Sequence, residues 1–179
     1  MERVILAREL GLGQVKEIAE SSKVGVEVFI HGALCYCFSG QCLFSSFLGG
    51  RSGNRGMCAQ PCRKRYTVGK KEGYLLSTAD TFGVGSIPEL MRCGVSSLKI
   101  EGRMRSPQYV YLTSLVYKRA IERARNGDDI LITDRERELL EVVFNRGFSG
   151  GYLTESDVMQ TAFPESRGRP LGPATMVHG

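Results

Sequence analysis

The 179-residue chain predicts an α/β fold with parallel strands, part of a (β/α) barrel carrying an inserted cysteine-rich, metal-binding loop. Three observations lead there. Runs with strand patterning alternate with runs of helical spacing. A complete eight-stranded barrel takes about 200 to 250 residues, more than this chain supplies. Four cysteines also crowd one glycine-rich, basic stretch just after the second strand.

The elements follow in order. Arg3 to Arg8 (RVILAR) reads as a strand, and Leu12, Val15, Ile18 and Ala19 put one apolar stripe on a helix to Ser21. Val24 to Ile30 alternates Val26, Val28 and Ile30 on one face with Glu27, Phe29 and His31 on the other. Arg65 to Val68 and Tyr74 to Ser77 form a short hairpin around GKKEG. Ser86 caps a helix from Ile87 to about Cys93, with Pro88 in its first turn and Gly94 ending it. Ser97 to Glu101 is a third barrel strand. Ser106 and Pro107 start a long helix to Asn126, with Tyr109, Leu112, Val116 and Ala120 inward and Gly127 as its stop. Asp134 to Phe144 is the last helix, capped by Thr133 or Asp134. From Asn145 onward Gly, Ser and Pro dominate, which argues against regular structure.

Composition narrows the class. The chain is 42% hydrophobic and 24% charged, ordinary for a soluble globular protein. No run of about 18 apolar residues is present to span a membrane. The opening MERVILARELGLGQ carries Glu2, Arg3, Arg8 and Glu9 and lacks the apolar core of a signal peptide. The expected location is the cytoplasm, where disulfides seldom persist. Six cysteines there read as metal ligands or buried apolar residues.

Cys35, Cys42, Cys58 and Cys62 have six, fifteen and three residues between them. Four thiols so close suit zinc or an iron–sulfur cluster, since both take four ligands around a compact centre. Zinc knuckles usually separate paired cysteines by two to four residues. Cys58 and Cys62 fit that spacing and Cys35 and Cys42 do not, so iron–sulfur is favoured and zinc is the alternative. Cys93 and Cys37 are surplus, most simply buried thiols.

Charge is unevenly placed. The interval between Glu27 and Glu72 holds no acidic residue and carries +7, from Arg51, Arg55, Arg63, Lys64, Arg65, Lys70 and Lys71. Such a field favours an anionic partner such as RNA, or balances a negatively charged metal–thiolate centre. Arginines on a flexible glycine loop suit phosphates, and Tyr66 suits base stacking. The plainer reading is a solvated loop.

In parallel α/β folds functional groups collect where strands end. Glu27, His31, Lys99 and Glu101 stand at those ends, as catalytic candidates or as a structural ion-pair network. His31 suits general acid/base work or a hydrogen-bonded structural place.

Glu27, Phe29, Gly32, Ala33, Leu34 and Cys35, followed by Gly40, Cys42, Phe44 and Ser45, resemble the signature of peptidase family U32, the collagenase-like proteases. Phe44 stands where the signature has an aliphatic residue. The segments Asn54 to Arg63, Lys99 to Val110 and Phe144 to Tyr152 also look like this family. The resemblance implies a TIM-like barrel of which this chain is the second half, and a 4Fe-4S cluster on Cys35, Cys42, Cys58 and Cys62. In some relatives a ligand comes from further downstream, which keeps Cys93 as an alternative. Residues 1–145 then form the partial barrel with its cysteine loop at 31–65, and 146–179 an irregular extension leading to a further region. A second chain or a further N-terminal segment is expected to complete the barrel.

The resemblance also implies function. Relatives act in oxygen-independent or prephenate-dependent hydroxylation of tRNA or rRNA bases, or of the ubiquinone ring, although the family was named for proteolysis. Cluster ligands and the basic residues Arg51, Arg55, Arg63, Lys64 and Arg65 fit RNA hydroxylation. No Ser-His-Asp, Cys-His or H-E-x-x-H arrangement marks a peptidase. A metal-dependent peptidase is the alternative, and a non-catalytic metal-stabilised scaffold the second.

Overall fold

The computed structural model describes residues 1–103 and 105–154 and shows a mixed α/β fold around an open sheet. The sheet is organised on one long strand. β2 (Gly25–Ala33) takes β1 (Arg3–Ile5) on one edge and β6 (Ser97–Ile100) on the other, both parallel to it. Glu27 is opposite Ile5 on one side and Ser97 on the other, which places β2 in the middle. α1 (Leu12–Ser21) makes the first crossover, and the second runs through everything between Leu34 and Ser96.

That second crossover holds α2 (Phe44–Gly49), 3-10 turns at Gly53–Arg55 and Pro61–Arg63, and the hairpin β3 (Tyr66–Val68) and β4 (Lys71–Gly73). β5 (Asp80–Phe82) follows and pairs antiparallel with the end of β2; α3 (Ile87–Arg92) then leads to β6. The long helix α4 (Pro107–Asn126), α5 (Asp134–Val142) and the two-residue β7 (Phe148–Ser149), parallel to β5, complete the described elements. The sheet does not close among the described residues.

Alternation puts Val26, Val28 and Ile30 against α1, α3 and α4, where Val15, Ile87, Leu90, Tyr117 and Ala120 complete one core. Each such buried side chain contributes about 1.5 to 3 kcal/mol relative to exposure. The other face of the sheet, with Ile5, Glu27, Phe29 and Lys99, stays half-buried to exposed.

Several boundaries differ from expectation for local reasons. The hairpin is tighter than read, because Gly69 at φ +61° allows a two-residue turn before Lys71. Ser86 does not cap α3 with its side chain, because the 3-10 turn Val84–Ser86 runs straight into the helix. Beyond Asn145, β7 and the 3-10 turn Gly151–Thr154 occupy a stretch read as irregular. The remainder of that stretch lies outside the described residues. Strict alternation in β2 also fails: a bulge between Phe29 and His31 buries Ile30, His31 and Gly32 in succession. His31 therefore does not share the face of Glu27.

Candidate functional site

The cysteine loop leaves the C-terminal end of β2 and folds back over it. All six cysteines are free thiols: Cys35, Cys42, Cys58 and Cys62 half-buried, Cys37 exposed and Cys93 buried. Ser45 on α2 is buried, and its hydroxyl accepts the Ala59 amide at 2.9 Å, pinning the helix to the Cys58 segment. Gln60, the one non-glycine residue with positive φ among those described, turns the chain between Cys58 and Cys62. Its amide donates to Cys58 Sγ at 3.3 Å, the kind of bond that tunes a thiolate ligand. Glu9, past the end of β1, anchors the other flank by accepting the Ser39 amide at 2.8 Å and hydroxyl at 2.9 Å.

The thiols act on one another. Burial pushes the Cys62 thiol up, the Arg63 guanidinium opposes this, and Cys35, Cys58 and Cys42 raise it further. Burial likewise raises Cys37, aided by a hydrogen bond and charge from Cys42 and by charge from Cys35. Cys37 thus joins the set. Cys93 does not: it precedes β6 at the opposite end of the sheet, and its thiol donates to the Leu90 carbonyl at 3.4 Å. Among the described residues no group of three ligand side chains stands in metal-holding geometry, so ligation requires side-chain rearrangement. By donor chemistry the set fits a thiophilic centre, since soft thiol donors give up their protons to a bound cation.

Cationic support lies directly beneath. Arg63, expected among phosphate contacts, turns inward, where the carbonyls of Leu34 and Thr78 take its donors. Its guanidinium donates to Leu34 O at 2.7 Å, Ser77 Oγ at 3.0 Å, Thr78 Oγ1 at 3.2 Å and the Thr78 carbonyl. It therefore ties the turn bearing Cys62 to the residue before Cys35. Asp80, buried in β5, pairs with Arg146 at 3.2 Å and accepts the Arg146 amide at 3.2 Å. Burial raises the Asp80 carboxyl, and Arg146, Arg63 and Arg105 pull it back. Three arginines thus surround one buried carboxylate beside the thiols. The local strand reading missed Asp80 and Arg146, whose partnership spans 66 residues.

The open face of the sheet gathers Glu27, Lys99 and Glu101. Glu27 accepts from Ser97 Oγ at 2.9 Å, Lys99 Nζ at 3.2 Å and Arg3 at 3.3 Å. Ser97's hydroxyl foremost, with Lys99, holds its carboxyl below the usual range despite burial. Glu101, just past β6, pairs with Arg8 at 3.2 Å, and Arg8 lies over the Phe29 ring at 4.3 Å. These groups form a paired network.

His31 is elsewhere. Its ring packs against Tyr117, Phe148, Tyr109 and Phe82. The Tyr117 hydroxyl donates to Ile30 O at 3.2 Å and lies 3.1 Å from His31 Nδ1 in a hydrogen-bonded pair. Burial lowers the His31 pKa to about 4, leaving a neutral ring at neutral pH. The crevice it shares with Arg8, Phe29 and Tyr152 measures about 10 Å³, room for one water.

Of the expected phosphate contacts, Arg51, Arg55 and Lys64 are exposed and have no ion-pair partner among the described residues. Arg65 is exposed and pairs with Glu72 at 3.1 Å.

The chain matches the family described as Peptidase family U32 over residues 1–162. It is 42% identical over 170 residues to a protein named Collagenase from Porphyromonas gingivalis, covering 83% of this chain and 41% of that protein. It is 33% identical over 171 residues to tRNA hydroxylation protein P of Helicobacter pylori, covering 86% of this chain and 40% of the relative. It is 33% identical over 191 residues to a 23S rRNA 5-hydroxycytidine synthase of Escherichia coli, covering 98% of this chain and 29% of that enzyme. The chain spans less than half the length of these curated relatives. No solved structure matches it.

Proposed function

The chain belongs to peptidase family U32, and from that premise we propose that it is part of an iron–sulfur protein acting in hydroxylation of a tRNA or rRNA base. The observation that carries this reading is the set of interacting thiols at the end of β2, inside a stretch of chain without an acidic residue. Relatives named for tRNA and rRNA hydroxylation supply the reaction class.

Cys35, Cys42, Cys58 and Cys62 would hold a 4Fe-4S cluster, with zinc as the alternative occupant. When bound, such a cluster supplies one-electron transfer. The residues around it have separate tasks. Gln60 donates to the Cys58 sulfur. Arg63 offsets thiolate charge and sets the Cys62 turn against Leu34. Arg51, Arg55 and Lys64 take phosphates, with Arg65 released from Glu72. Glu27, Lys99 and Glu101 line the face on which a base is oriented. The outer edges of β1 and β6 have no partner strand among the described residues. A second chain or further segment pairing there would enclose that face as a barrel.

RNA binding measured across a salt series tests the reading. Affinity should fall steeply as salt rises, through release of counterions from the phosphates; binding that is absent or insensitive to salt would overturn it. The 42% identical relative named Collagenase favours a second reading, a metal-dependent peptidase. Gelatin cleavage by the metal-loaded protein, lost in Glu27→Gln, would establish that one instead.

A further inference from the structure

α2 is turned inside out. Its buried position is Ser45, 2% exposed, whereas Leu43 and Phe47 on the opposite side are 68% and 90% exposed. Leu43 and Phe47 are four residues apart and therefore neighbours on the helix surface. Leu48, Phe38 and Met57 are also exposed, so the loop shows water five large apolar side chains. The fold has a reason to bury Ser45, whose hydroxyl holds the Ala59 amide. It gives none for exposing Phe47, and a concentration of apolar surface such as this marks a binding site. α2 packs on the 3-10 turns bearing Arg55 and Cys62, and Arg51 follows two residues after its end, so the apolar side chains and the arginines belong to one loop.

We propose that this face binds the unpaired nucleotides of an RNA, with Phe47 stacking on a base while Arg51 and Arg55 take the flanking phosphates. The inference rests on the RNA reading and adds the surface and the structural class of RNA. Charge complementarity selects the occupant. No acidic residue lies between Glu27 and Glu72, and Arg51, Arg55 and Lys64 lack ion-pair partners among the described residues. An exposed phenylalanine near arginines on a glycine-rich loop matches how single strands are held, by ring stacking and phosphate contact. Paired RNA hides its base faces inside the stack and has nothing to offer Phe47.

The test measures binding of the full chain to a hairpin RNA with an unpaired loop and to a fully paired duplex of equal length. Phe47→Ala should weaken hairpin binding about tenfold and leave duplex binding unchanged, while Phe47→Trp retains the hairpin affinity and Phe47→Leu does not. Arg51→Ala and Arg55→Ala should weaken both RNAs and each lower the salt slope by about one. Unchanged hairpin binding by Phe47→Ala, with the arginine effects intact, overturns the stacking surface and spares the RNA reading. No binding of either RNA by the wild type overturns the RNA reading itself. Self-association of the wild type that Phe47→Ala abolishes, with hairpin binding kept, assigns the face to protein contact and also overturns the inference.

Discussion

Truncating Arg63 removes a charged donor from the carbonyls of Leu34 and Thr78, leaving Leu34 only the Thr78 hydroxyl, and frees the Cys62 turn from the end of β2. Arg63→Ala should cost about 2 to 4 kcal/mol in urea unfolding, because half-buried acceptors lose a charged partner. Arg63→Lys should recover only part of this, since an ammonium lacks the planar fork that reaches several acceptors at once. Neither change should lower the salt slope of RNA binding, as loss of Arg51 or Arg55 should. His31 makes a separate prediction. Its folded pKa of about 4 lies below the ordinary 6.5, so the unfolded chain takes up a proton that the folded chain refuses. Stability should therefore fall as pH drops from 6.5 towards 4, by up to about 3 kcal/mol. In His31→Gln that part of the stability–pH curve should be flat, at lower overall stability.

Elements carry their own tests. Gly32 sits at φ +98°, and a Cβ there would lie 2.5 Å from the Glu101 carbonyl oxygen and 2.9 Å from the Tyr109 hydroxyl. Gly32→Ala should destabilise by about 2 to 4 kcal/mol, since strain and backbone collision add at a central strand. α5 begins with a reciprocal cap between Thr133 and Glu136, and Glu136 also meets Arg123. The Arg123 hydrogen bond chiefly, against the effect of burial, holds the Glu136 pKa at about 2, below its ordinary 4.5. This contribution, about 3 kcal/mol at most, is present above pH 4.5 and lost as pH falls towards 2. Glu136→Gln should be less stable at neutral pH and match the wild type near pH 2 in thermal melts. Elements with strong local signals were legible in the sequence: α1 by its apolar stripe, α4 by Ser106 and Gly127, α5 by Thr133. β5 and β7 were not, because these short runs gain strand geometry from distant partners: β5 from the end of β2, β7 from β5, with the Asp80–Arg146 pair beside them. α2 was missed because six residues between glycine-rich flanks carry no periodic signal. The candidate site divides the same way. Cysteine spacing is visible in one dimension, whereas the inward turn of Arg63 within a uniform Arg-Lys-Arg run depends on carbonyls 15 and 29 residues away.

At the scale of the whole molecule, one sheet presents two different faces. The helical side holds the apolar core. The other side is an open charged face, and the thiol loop with α2 leaves the C-terminal end of its central strand. A charged sheet face left this open is solvated in an isolated domain and available to one that receives a substrate or further strands. The account depends most on what the cysteines hold. Anaerobic purification of wild type and Cys58→Ala, with iron, sulfide and zinc analysis and a visible absorbance spectrum, tests that directly. Iron and sulfide are expected in near-equal amounts in the wild type and lost in Cys58→Ala. Zinc without sulfide, or iron retained unchanged in the variant, would contradict this expectation.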